Sequence, residues 1–75
     1  MNKAGRAKIA EAISLIEQAR GLIDGMGDEE QEKYDNLSEG LQQGERGQQF
    51  ESNASALNEA DSGLENALDQ LNEVQ

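Results

Sequence analysis

The 75-residue chain contains no cysteine, no histidine, no proline and no tryptophan. Without cysteine there are no disulfides, and without cysteine and histidine the usual structural zinc sites cannot be assembled. Nucleophilic catalysis is excluded on the same grounds, because Ser14, Ser38, Ser52, Ser55 and Ser62 have no imidazole to accept their protons. The Glu-x-x-His pattern of di-iron bundles is missing too. Paired carboxylates do acid and base work only in a pocket that drives their pKa values apart, and a thin helical chain offers none. The expectation is a protein that is not an enzyme and uses no cofactor and no metal.

Positive charge is also scarce. Six basic residues stand against sixteen acidic ones, for a net charge of -10. That charge repels nucleic acid and anionic lipid surfaces, so direct binding to either is not expected. A protein that normally binds nucleic acid would instead be attracted. No apolar run exceeds three residues, too short to cross a bilayer, and MNKAGRAKIAEAI lacks the continuous apolar core of a signal peptide. The cytoplasm is the expected location.

Alanine, leucine, glutamate and glutamine recur along the chain, which favours helix over strand. Ile9, Ala12, Ile13, Ile16, Ala19, Ile23 and Met26 follow the three-and-four spacing of one helical face, and Leu15 and Leu22 widen it. This predicts a first helix over about residues 3–36, with a soft spot near Gly25 and Gly27. Phe50, Ala54, Leu57, Ala60, Leu64, Ala67, Leu68, Leu71 and Val74 predict a second over about residues 45–73, with Gly63 on its polar side. Between them NLSEGLQQGERG reads as a folded corner over about residues 37–44. Ser38 caps a single turn, Leu41 tucks that turn against the helices, and Gly44 closes it in a left-handed conformation.

The fold class is therefore an all-α antiparallel two-helix hairpin forming a single domain. Residues 1 to 20 carry Lys3, Arg6, Lys8 and Arg20, whereas residues 47 to 75 carry six acids and no base. Antiparallel folding sets Lys3, Arg6 and Lys8 beside Glu65, Asp69 and Glu73. Two amphipathic helices do not cover each other's apolar stripes, so a homo-oligomer is expected, most simply a dimer forming a four-helix bundle, or a higher ring.

Two features of the middle third bear on binding. The acidic face of Asp28, Glu29, Glu32 and Glu39 suits a basic protein surface. The run with Asp35 also has helical spacing for a cation site, but lacks the ordered ligand spacing of an EF-hand and reads as a solvated acidic face. The second feature is GERG, which places Arg46 in the first turn of the second helix, where free N–H groups favour an anion. Lys33 and the Tyr34 ring lie near the same end. Lys33, Tyr34, Asp35, Asn36, Glu45, Arg46 and Gly47 are the candidate ligand or partner-binding residues. In the competing structural reading Arg46 pairs with Glu45, Asp35 or Glu39, Lys33 is solvated, and Tyr34 packs on Phe50 or Leu37.

DEEQEKYDNLSEGLQQGERG resembles the central signature of a family of small helical proteins of tailed phages and prophages. In that signature an acidic DEEQE segment leads into an aromatic and DNL, then LQ and ERG, between two amphipathic helices. The match covers about twenty residues closely. This chain departs from it with Ser38 in place of proline, Gly40 in place of serine, and Gly44 where a serine would cap the second helix. The resemblance implies a phage or prophage origin, no assigned enzyme activity, and action in the host cytoplasm by stoichiometric binding, with counter-defence or host modulation as the purpose. Two partners follow as expectations: a host protein held by the acidic face, or a small signalling nucleotide held at the corner by Arg46 and Tyr34. The alternative is a structural or assembly protein of the phage particle.

Overall fold

A computed structural model describes residues 1–74. Three helices follow in order: α1 over Lys3–Asp35, α2 over Glu39–Gln42, and α3 over Glu45–Glu73. The two long helices pack side by side and α2 braces α3 at the corner, so the chain is an all-α helical hairpin. Asn2 starts α1 by accepting the Gly5 N–H on its side chain at 2.8 Å, which satisfies one of the donors every helix start leaves over. Helix α1 runs unbroken through Gly25 and Gly27, because packing against α3 outweighs their cost of about 1 kcal/mol each.

The hairpin is a rod of 58 × 15 × 11 Å, with a radius of gyration of 17.2 Å. A globular chain of this length would have a radius of about 11 Å. The shape leaves little interior, and among the described residues only Ile9 and Leu68 reach 9% exposure in the hydrophobic core. They sit near the open end of the hairpin, and the rest of the seam is half-buried.

The seam itself departs from the sequence reading in one instructive way. On α3 the central covered positions are Gly47, Phe50, Ala54, Leu57, Asp61, Leu64, Leu68 and Leu71, a strict alternation of three and four, with Asn53 and Ala67 half-buried beside them. On α1 they are Ile9, Ala12, Ile16, Ala19, Ile23, Gly27, Glu30 and Tyr34, with two successive steps of four around Ile23, and with Ile13 and Arg20 half-buried beside them. A straight helix drifts against a seven-residue repeat, and one such stutter resets the phase. Gly27 thereby faces α3 and Met26 does not; Met26 is 50% exposed. Leu15 and Leu22, expected to widen the covered stripe, are exposed as well, as is Ala60.

Three further expectations are corrected. Among the described residues Lys3, Arg6 and Lys8 form no ion pair; all three are exposed, and solvation competes successfully with a weak surface attraction. The base that reaches across is Arg20, whose Nε lies 2.8 Å from Asp61 Oδ1 and whose Nη2 lies 3.8 Å from Glu65. Leu41 is 52% exposed, while Leu37, Gln42 and Gly44 are the half-buried residues of the corner. Gly44 is not left-handed: its φ of -84° and ψ of -176° are the extended backbone of a helix N-cap. Ser38 does cap α2, its side chain accepting the Leu41 N–H.

Candidate functional site

The corner is held by a short chain of backbone hydrogen bonds. The Asn36 N–H donates to the Glu32 carbonyl and the Leu37 N–H to the Tyr34 carbonyl, each at 3.0 Å, closing the end of α1. The Gln42 side chain donates to the same Tyr34 carbonyl at 3.1 Å and ties α2 to that end. On its other side the Gln42 backbone lies directly against Gly47. A Cβ on Gly47 would stand 2.7 Å from the Gln42 Cα and nearer still to its carbonyl, so this position admits hydrogen alone. Gly47, a candidate ligand-contact residue in the sequence, is buried and serves the close approach of α2 to α3.

The other corner candidates are not gathered into a cradle. Lys33 Nζ lies 3.4 Å from Glu30 within its own helix. Asp35 accepts from the Gln31 side chain at 3.1 Å, and Asn36 is the C-cap of α1. Glu45 and Arg46 are exposed in the first turn of α3, and among the described residues Arg46 pairs with neither Glu45, Asp35 nor Glu39. The helix start beside them has Gly44 as N-cap with no side-chain hydrogen bond.

Tyr34 is half-buried, and its phenol is held above the ordinary tyrosine value by burial first and by the neighbouring Glu51 carboxylate second. A raised folded value means the neutral phenol contributes stability that is complete below the ordinary value and is lost as pH rises through the folded one. Tyr34 is the sole tyrosine and there is no tryptophan, so absorbance titration reads it directly. The midpoint is expected above the ordinary value of about 10. Glu51→Gln should bring it down, and a midpoint at the ordinary value in both chains would contradict the placement. For an anionic ligand the same carboxylate is an obstacle, since its negative charge lies close to the phenol.

The acidic residues tell a different story, because the hairpin sorts them by side. A cleft of about 260 Å³ opens on one side of the seam, with Asp24, Asp28, Asn58 and Asp61 among its lining residues. A second, of about 320 Å³, opens on the opposite side between Met26, Glu29, Ala56 and Leu57. Gly27 and Ala54 line the first, and their small size leaves the seam thin there. Asp28 and Glu29, adjacent in sequence, therefore belong to different sides of the rod, while Glu32 and Glu39 are exposed. Among the described residues no group of three acids is close enough together to hold a metal ion.

Sequence reasoning missed the polar layers that cross the seam. Arg20 donates to both Asp61 oxygens, at 2.8 and 3.4 Å, and the pair lies mid-rod. Its hydrogen bond holds the Asp61 carboxyl below the usual carboxylate range against the opposing effect of burial. Nearer the corner Asn53 donates to Glu30 at 3.3 Å. A polar residue at a seam position fixes which residues stand opposite each other, since any slip would strand it in apolar surroundings. The available signal was Asp61 itself, which interrupts the otherwise apolar series from Phe50 to Leu71.

No family model matches the chain, and no curated protein or solved structure matches it significantly.

Proposed function

We propose that this hairpin is a non-enzymatic accessory protein of phage type that self-associates and acts by stoichiometric binding, presenting its acidic side to a basic surface of a host protein. One observation carries this reading: the cleft lined by Asp24, Asp28 and Asp61 is edged by carboxylates and amides, on a rod whose net charge is -10. Among the described residues, the base beside it is Arg20, already engaged by Asp61 and Glu65. A surface of this kind resembles a row of phosphates to a protein that holds nucleic acid in a basic groove, and it draws such a partner in from a distance. Countering or redirecting a host system is the purpose that fits the resemblance to phage proteins.

The test is calorimetric titration of a basic, nucleic-acid-binding host protein with the chain over a range of salt. Affinity is expected to fall steeply as salt rises, because screening acts on this kind of attraction first. The Asp24→Lys/Asp28→Lys chain should bind at least roughly tenfold more weakly, each rim charge being worth a fraction of a kcal/mol or more when several act together. Affinity indifferent to both salt and charge reversal would sink the proposal.

The corner supports sequestration of a signalling nucleotide less well. Lys33 is engaged by Glu30, and the Glu51 carboxylate acts on the Tyr34 phenol. The long, thin shape favours the second reading, a structural or assembly protein of a phage particle, for which a rod with an open apolar side is well suited. Presence of the chain in purified particles would favour it.

A further inference from the structure

We propose that a second copy of this chain packs on the side of the hairpin that carries Leu15, Leu22 and Met26 on α1 and Ala56 and Ala60 on α3. The result is a two-fold symmetric four-helix bundle whose acidic sides face outward. The inference rests on the self-association proposed above and names its surface.

The side is defined by the cleft between Met26, Glu29, Glu30, Asn53, Ala56 and Leu57, in which the two glutamates edge the corner end of a patch that is otherwise apolar towards Leu15. Leu22 lies four residues before Met26 and Leu15 seven before that, so all three share one edge of α1. They are 58%, 71% and 50% exposed for Leu15, Leu22 and Met26, among the most exposed large apolar residues of the chain. On α3, Ala60 lies one turn beyond Ala56, and Ala67 seven residues beyond Ala60. The pairing of Arg20 with Asp61 and of Glu30 with Asn53 sets the level of each residue along the rod. It brings Leu22 level with Ala60, Met26 with Ala56, and Leu15 with Ala67. One helix thus presents a ridge of large side chains beside a groove of alanines on the other.

A ridge beside a groove is self-complementary. In an isologous pair the ridge of each copy enters the alanine groove of the other, and the same patch is buried twice. The ridge from Leu15 to Met26 spans about 17 Å of α1, and a bundle that continues from it along the rod, 58 by 15 Å, offers at most on the order of 800 Å² per copy, the area a stable specific interface takes from each partner. The opposite side does not serve, because stacking it on itself would press Asp24, Asp28 and Asp61 of one copy against those of the other. Charge thereby selects the apolar side for the second copy and leaves the acidic side in water.

Sedimentation equilibrium across a wide concentration range tests the inference on the full chain, with Leu22→Glu and Ala60→Glu as disrupting variants and Asp28→Lys as the matched substitution on the other side. The native chain and Asp28→Lys are expected to be dimers. Leu22→Glu and Ala60→Glu should weaken self-association by roughly 30-fold or more, the effect of losing one central contact. Should a glutamate variant unfold, melting of the native chain decides: a midpoint that rises with concentration supports the bundle, and one independent of concentration overturns it. A native chain that sediments as a monomer defeats self-association and the interface together. A native dimer that both glutamate variants leave intact defeats this interface alone.

Discussion

Replacing Gly47 by alanine is expected to destabilise the hairpin by about 2–3 kcal/mol, the upper part of the range for overpacking, because the new methyl meets backbone and not a movable side chain. For a chain of this size that corresponds to a fall in melting temperature of roughly 8–20 °C. The direction is opposite to the usual one. Alanine in place of glycine inside a helix normally stabilises by about 0.5–1 kcal/mol, and Gly25→Ala should do so here, since nothing lies within 4 Å of its missing Cβ. Thermal melts of the two variants beside the native chain make the comparison. If Gly47→Ala melts at or above the native temperature, α2 stands further from α3 than the Gln42 and Gly47 contact requires, and the corner is looser than its hydrogen bonds imply.

The second large effect is at the open end. Leu68→Ala is expected to cost about 2–4 kcal/mol, the loss of a buried leucine plus the cavity it leaves, discounted slightly because the rod collapses around a defect more readily than a globular core. Small domains have little stability in reserve, so this one substitution should leave a substantial fraction of the chain unfolded at physiological temperature. Leu22→Ala is the contrasting change at concentrations low enough to separate the two copies. Leu22 is 71% exposed, so within a single hairpin its truncation removes almost no buried surface. Urea unfolding, monitored by circular dichroism, separates the two. Equal losses for Leu68→Ala and Leu22→Ala would mean that Leu22 is covered as thoroughly as the core residue, which in solution requires the second copy. A negligible loss for Leu68→Ala would instead show that the Ile9 and Leu68 end contributes little to the fold.

These contrasts show where a one-dimensional reading of the chain succeeds. Apolar spacing from Ile9 to Ile23 and from Phe50 to Leu71 is a local property. A helix displays every third or fourth residue on one face whatever surrounds it, so the two long helices are legible in the order of residues itself. The cap at Ser38 is legible for the same reason, because a hydroxyl at a helix start needs only the N–H groups of its own next turn. Met26 and Gly27 trade places between seam and solvent because phase accumulates along α1: a small drift per turn has built up over the roughly five turns from Ile9. Of the corner candidates, Gly47 has a role that its motif does not announce. Its neighbour in space is Gln42, and the closeness of two backbone segments is not written in the spacing of side chains.

From the sequence alone came an all-helical chain, two amphipathic rods, a capped corner and a net charge of -10. The tertiary structure alone decided that Arg20 meets Asp61, that Asp28 and Glu29 part to opposite sides, and that Leu15, Leu22 and Met26 line up beside a row of alanines. The physical reason is that helical periodicity depends on hydrogen bonds four residues apart. The level of one helix against another depends on which polar group can be satisfied across the seam, and that pairing spans 41 residues of chain for Arg20 and Asp61.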